Sequence, residues 1–308
     1  MADRKRVFPQ ARLAQLMAGE TFDIERGSFL MHNPDDPRSV EAHYGRGAVL
    51  DNILHALTAA GKNLAHLAPA DLAAVDEFHV RGREATTELA ERAKFRPGER
   101  VLDVGCGLGG SVRYLAVEHG VRAIGVDLTK EYVDAARVLA DMVGLAGQVE
   151  FRQASACVLP FEDSSFDVVW TEHVQMNIPD KRSFYAGLAR VLAPGGRLVF
   201  HDIFQGDGGE PHCPVPWAEH PSISFLSPQT EIRNILEELG LTIRYWQDMS
   251  LPSQAWFEAA DRKLAGAAAP PLGIHLLMGE TAHTKVRNMA SNFRERRITS
   301  VQAVCASR

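Results

Sequence analysis

The ten residues from Val101 to Gly110 (VLDVGCGLGG) constrain this chain more than any other stretch. A short apolar segment of extended character runs into a cluster of glycines. The glycines lead into Ser111 to Ala116, whose apolar spacing is helical. Strand, tight glycine turn and helix N-terminus together bring backbone very close to a ligand. The glycines alone leave the ligand open. Gly105, Gly107 and Gly110 satisfy the dinucleotide fingerprint, whereas Gly105, Gly107 and Gly109 satisfy G-x-G-x-G.

Three further features narrow the choice. Asp103 lies inside the strand, where a carboxylate suits a ligand that carries an ammonium group. Residues 123–128 read as a second strand ending in Asp127, an acid placed to hold two ribose hydroxyls. Residues 166–170 and 190–200 follow at the spacing of strands four and five. With these residues the chain resembles the class I S-adenosylmethionine (SAM) methyltransferases, over roughly residues 78–247 plus a final strand near 298–305. The resemblance implies an α/β fold, a Rossmann-like doubly wound seven-stranded sheet, with a helical N-terminal segment and cap insertions.

Composition bounds the rest. The chain has 308 residues, 45% hydrophobic and 23% charged, enough for a sizeable core. Its net charge of −6 and lack of a long basic run disfavour a nucleic-acid partner. No segment has the apolar length of a membrane span or a signal-peptide core. Cys106, Cys157, Cys213 and Cys305 are scattered without a C-x-x-C pair, which fits a reducing cytoplasm. His201, His212, Cys213 and His220 match no standard zinc spacing, so no metal is expected.

Along the chain, residues 1–77 read as an N-terminal arm, with a turn at Asn33 to Pro37, followed by a helical cap. Val49, Leu50, Ile53, Leu54 and Leu57 form an apolar stripe within a helix over 40–57, and further helices are expected over 70–78 and 84–93. Residues 78–308 form the core, whose strands and helices alternate as in a doubly wound parallel sheet. Ser227 and Pro228 read as N-cap and first helical residue of a helix that stops at Gly240. Two insertions, 204–226 and 249–296, exceed a minimal core and are expected to build the acceptor pocket and a closing lid.

The resemblance also implies roles. Gly105, Cys106 and Gly107 leave room for the methionine arm, Asp103 engages its amino group, Asp127 takes the ribose hydroxyls, and Leu128 covers the adenine. Related enzymes carry an Asp after strand three; here Ser155 stands in its place, followed by Ala156. Residues 78–87 are similar to the segment preceding the core of phosphoethanolamine N-methyltransferases, which would bring Arg81 and Gly82 to the methionine end. Tyr44 resembles the tyrosine those enzymes fold over the site, and Asn177 falls where they carry a catalytic histidine. His173 in the loop after strand four and His201 with Asp202 at the end of strand five face the same crevice and are candidates for proton handling. Trp217, among prolines, offers an indole face to a cation, worth ~0.5–2 kcal/mol. This loop and the run His173 to Ile178 look like the sarcosine and dimethylglycine branch.

The expectation is therefore a cytoplasmic, SAM-dependent enzyme that methylates a small-molecule acceptor, a nitrogen (amine or imidazole) of an amino-acid-like metabolite, with no nucleic-acid or membrane partner and self-association, if any, as a homodimer. Methylation of oxygen, sulfur, selenium or carbon is the alternative within the class. An NAD-type oxidoreductase and a non-catalytic SAM-binding module are the alternatives outside it.

Overall fold

A strand that is apolar on both faces belongs in the middle of a sheet covered on both sides. In the computed structural model of the protein, which describes residues 40, 43, 44, 48–266 and 271–307, Val101, Leu102 and Val104 of β1 (Arg100–Val104) are wholly buried. The remaining strands are β2 (Arg122–Asp127), β3 (Val149–Gln153), β4 (Phe166–Glu172), β5 (Leu192–Gln205), β6 (Thr242–Asp248) and β7 (Ile298–Ala306). They form one seven-stranded sheet in the order β3-β2-β1-β4-β5-β7-β6. The expected arm over 1–38 and its turn at 33–37 lie outside the described residues.

The helices are α1 (Val49–Ala59), α2 (Arg83–Ala93), α3 (Gly110–His119), α4 (Lys130–Met142), α5 (Lys181–Val191), α6 (Gln229–Glu238), α7 (Ser250–Gly266) and α8 (Ala282–Arg294). Leu89, Val112, Leu115, Val133 and Ala136, from α2, α3 and α4, cover one face of the sheet. Phe184, Leu188, Ile232 and Leu236, from α5 and α6, cover the other. The stripe on α1 packs against Tyr132, Ala135 and Leu139 of α4.

Four details differ from the sequence reading. First, β7 runs antiparallel between β5 and β6, so the sheet is mixed. Its first residue, Ile298, pairs with Gln205, the last residue of β5. The chain leaves the cap at the carboxyl edge of the sheet, and its last strand must run back down. Second, α6 begins at Gln229, with Pro228 at the cap position. Gln205 N donates to Ser227 O (3.0 Å) and Gln205 bridges to Pro228, which holds that dipeptide extended. Third, the helical stretch before the core is not continuous: Val40, His43 and Tyr44 are helical, Ala48 has φ 56°, outside the right-handed region, and α1 starts at Val49. Fourth, only Pro69–Leu72 is helical in the 70–78 stretch; turns after it carry Asp76 O against Gly110.

The two insertions are packed as one body. Trp217 and Ile223 from the first share an apolar cluster with Phe257, Val286 and Met289 of the second. One face of α8 docks on the first insertion. Lys285 Nζ lies 2.6 Å from Glu219 Oε1, Asn288 Nδ2 donates to Pro214 O (2.9 Å), and Asn292 bonds both N and O of His212 (2.8 and 3.1 Å).

At the opposite edge of the sheet, Arg197 on β5 grips Glu99 with both terminal nitrogens (3.0 and 2.7 Å), and its Nε reaches Ala93 O at the end of α2. Burial alone would raise the Glu99 pKa; Arg197 and Arg96 overcome it and hold the carboxyl at about 2. The folded-state value lies below the ordinary 4.5, so this stabilisation is fully present above about pH 4.5 and is lost as pH falls toward 2. Glu99→Gln should therefore lower stability at neutral pH by on the order of 3 kcal/mol and flatten the decline in acid, measured by urea unfolding between pH 7 and 3.

Candidate active site

The loop after β1 is shaped by close approach. Gly105, Gly107 and Gly109 all have positive φ (78°, 52° and 78°). A Cβ on Gly105 would fall on Val174 Cγ2 and one on Gly109 on the Phe151 ring, so these two sites admit no side chain. Gly107 differs: no heavy atom lies within 4 Å of its Cβ position. Gly107 lines a cavity of about 180 Å³ at the carboxyl ends of β1, β2 and β4, where open α/β sheets bind ligands. A side chain at 107 would fill that cradle.

Asp127 fixes the loop. Its Oδ2 accepts from Gly107 N (2.9 Å) and its Oδ1 from Thr129 N (2.8 Å), while Gly105 N and Cys106 N both donate to Val126 O (2.8 and 3.0 Å). The same carboxylate lines the cavity, where the resemblance to SAM enzymes puts the ribose. Leu128, Ser155 and Ala156 line the cavity beyond it. Ser155 Oγ accepts from Cys157 N (3.2 Å) and its hydroxyl also bonds the Cys157 side chain.

The cavity's other polar end is acidic. Asp103 is buried, and no hydrogen bond to its carboxylate is found among the described residues. Burial pushes its pKa well up, and the nearby Glu172 and Asp127 push it further. Glu172 Oε2 accepts from Ser111 Oγ (2.6 Å) and Trp170 Nε1 (2.9 Å), whereas its buried Oε1 has no hydrogen bond. A cation seated here would relieve both carboxylates. The open cradle at Gly107, the Asp127 carboxylate and this carboxylate pair suit the methionine side chain, the ribose and the ammonium of SAM.

Across the cavity the residues are held rigidly. Asn177 donates through Nδ2 to Trp217 O and Ile223 O (both 2.9 Å) and accepts at Oδ1 from Tyr44 Oη (3.2 Å). Its amide is saturated, and it tethers the first insertion and Tyr44 to the loop after β4. Trp217 lines the cavity with its Nε1 donating to Ser224 Oγ (2.9 Å). His173 also lines it, in the left-handed region at φ 55°, with Val80 N approaching its Nε2 at 3.4 Å. Lys181 Nζ points inward to the carbonyls of Gln175, Ile178 and Phe225, locking the same loop from behind.

Arg81, Gly82 and His201 do not reach the cavity. The Arg81 guanidinium is taken by Glu84 (2.7 Å) and Glu88 (2.7 and 2.8 Å) on the first turns of α2. His201 is fully buried in β5, and neither ring nitrogen has a hydrogen-bond partner. Asp202 turns away from the cavity to accept from the amides of Gln175 (3.1 Å), Val174 (3.4 Å) and Ile203 (3.0 Å). Conversely, the cavity wall includes residues not singled out in the sequence: Glu172, His79, Met176, Trp256, Phe257 and Met289. An acid at the carboxyl end of a strand is a signal for Glu172; the others are brought in by tertiary packing.

Residues 102–200 match the family described as a methyltransferase domain. An O-methyltransferase of Aspergillus sclerotiorum is 31% identical over 209 residues, which span 66% of this chain and 78% of that protein. Phosphoethanolamine N-methyltransferase 2 of Haemonchus contortus, solved with phosphomonomethylethanolamine and S-adenosylhomocysteine, superposes with a TM-score of 0.67 at 18% identity, over 87% of this chain and 60% of that one. Geranyl diphosphate C-methyltransferase of Streptomyces coelicolor gives 0.66 at 17% identity, over 90% and 100%. The chain belongs to the class I SAM-dependent methyltransferases. It is an enzyme of that class with the sheet order and glycine loop described above.

Replacing Asp127 with Ala removes the acceptor of two backbone amides from the loops that line the cavity. Affinity for S-adenosylhomocysteine should fall about tenfold or more, read by calorimetry, with the circular dichroism of the fold retained.

Proposed function

We propose that this enzyme transfers the SAM methyl group to a hydroxyl of an apolar, unphosphorylated small molecule. The observation that carries this reading is the cavity wall beyond His173. Met176, Trp217, Trp256, Phe257, Leu277 and Met289 line it, and among the described lining residues there is no lysine or arginine. A phosphate or diphosphate buried there would have no cationic partner, at a cost of several kcal/mol. The phosphorylated ligands of the two superposed structures therefore do not carry over. The Aspergillus relative, an O-methyltransferase, agrees with this reading.

The expected amine or imidazole of an amino-acid-like metabolite has less support. Its charged groups would need polar partners in the apolar half. Glu77 is committed to Arg83 and Thr86, and Asp76 is ion-paired with Arg113 through Oδ2 (2.5 Å), with its Oδ1 unbonded.

Bound SAM supplies an electrophilic methyl on a sulfonium. The protein's own residues do the rest. Asp103 and Glu172 hold the ammonium, Gly107 leaves the arm its path, and Asp127 fixes the ribose. The aromatic and methionine side chains exclude water and align the acceptor oxygen with the methyl carbon.

The test is a panel of 2-naphthol, alkylphenols, phosphoethanolamine and sarcosine with isotope-labelled SAM, read by mass spectrometry. Label is expected on the aromatic hydroxyls. Label on phosphoethanolamine or sarcosine alone would overturn the reading. Trp217→Ala should raise the acceptor KM about tenfold while leaving S-adenosylhomocysteine affinity within about twofold, since its ring borders only the apolar half.

A further inference from the structure

Two imidazoles, His79 and His173, line the cavity, and a third, His201, packs against them without reaching it. The His173 and His201 rings are 4.7 Å apart, and His79 lies 6.2 and 6.4 Å from them. His79 precedes α2, outside the motifs that define the fold, and lines the cavity.

We propose that His79 is the catalytic base that takes the acceptor's hydroxyl proton, held in its reactive tautomer by Thr86 and Glu77. This rests on the hydroxyl reading above. The argument begins with hydrogen-bond direction. Thr86 Oγ1 donates to Glu77 Oε2 (2.9 Å), and Glu77 Oε1 is paired with Arg83 Nε, so the threonine hydrogen is spent. Its oxygen, 2.8 Å from His79 Nε2, must then accept, which puts the ring hydrogen on Nε2 and the lone pair on Nδ1. No hydrogen bond to Nδ1 is found among the described residues. The same assignment explains Glu172 Oε1, which lies 3.1 Å from Nε2 yet is unbonded, because that N–H points to Thr86.

Carboxylates flank this ring and not its neighbours. His79 has Glu172 Oε1 at 3.1 Å and Glu77 Oε2 at 3.7 Å, with Arg83 behind Glu77 and the His173 and His201 rings on its remaining side. No carboxylate pairs with His173 or His201 among the described residues, and burial pushes both their pKa values well down, with neighbouring histidines adding to the effect. His173 Nε2 is approached by the Val80 amide, and His201 does not reach the cavity.

The step balances within the ligands and this ring. The acceptor oxygen bonds to the methyl carbon while the carbon–sulfur bond breaks and sulfur keeps its electron pair. The hydroxyl proton moves to His79 Nδ1, the imidazolium is held by Glu172 and by the Thr86–Glu77 chain, and the proton leaves to water with the product.

Two measurements decide it. Nitrogen-15 NMR on the intact, ligand-free protein should show His79 protonated on Nε2 and bare on Nδ1, with Thr86→Val mixing the tautomers. A wild-type ring protonated on Nδ1 overturns the proposal. With 2-naphthol as acceptor, His79→Gln should lower kcat about a hundredfold or more and Thr86→Val about tenfold, both binding S-adenosylhomocysteine as the wild type does. His79→Gln within about twofold of wild type, with His173→Gln inactive, would move the role to His173. If the wild type methylates no hydroxyl in the panel, the hydroxyl reading falls, and the NMR result still decides the tautomer.

Discussion

The cavity depends on one carboxylate receiving two amides. Asp127 ends β2, and through Gly107 N and Thr129 N it ties the loop after β1 to the loop after its own strand. Both loops leave adjacent parallel strands at the same edge, where unpaired backbone donors would otherwise need water. Satisfying them with an acid in the wall stiffens the glycine loop. It also puts that acid in the wall of the space the loop encloses. The positive φ values at 105, 107 and 109 fold the chain tightly enough for this, and Val174 and Phe151 then seal the outside of the turn.

Around that anchor the chemistry is graded along the cavity. Carboxylates gather at one end, imidazoles at the middle and sulfur-containing and aromatic side chains at the other. Charged and apolar groups would thus meet separate surroundings within one cavity. The buried acids at 103 and 172 are costly in isolation, which makes the site complete only when positive charge arrives. The saturated amide of Asn177 and the inward ammonium of Lys181 keep the intervening loop from adjusting to other shapes.

What the sequence makes legible follows how local the determinants are. The strand, the glycine turn, Asp103 and Asp127 sit in short contiguous runs, and one strand-turn-helix unit states them all. The apolar stripe of α1 is readable for the same reason. The antiparallel course of β7 is not, because it follows from where α8 delivers the chain, forty and more residues after the preceding strand. Arg81 is instructive in the other direction. Its partners Glu84 and Glu88 are near in sequence, but a guanidinium beside two acids is readable as a ligand contact until the helix turns both toward it. Glu172 and His79 come together only when β4 lies beside the segment before α2. Trp256, Phe257 and Met289 lie on α7 and α8, whose sequences show only that some face is apolar.

The way α8 grips the first insertion bears on how such an enzyme changes its acceptor. Asn288 and Asn292 engage main-chain groups of Pro214 and His212, and neither contact depends on the side chain found there. Exchange of the side chains at 212 and 214 would leave these contacts in place, whereas Trp217 is itself part of the apolar packing that joins the two insertions. The insertion is fastened in two ways, by main-chain hydrogen bonds that tolerate mutation and by side-chain packing that does not. Substitutions that alter the cavity wall at Trp217 therefore act on docking as well as on cavity shape.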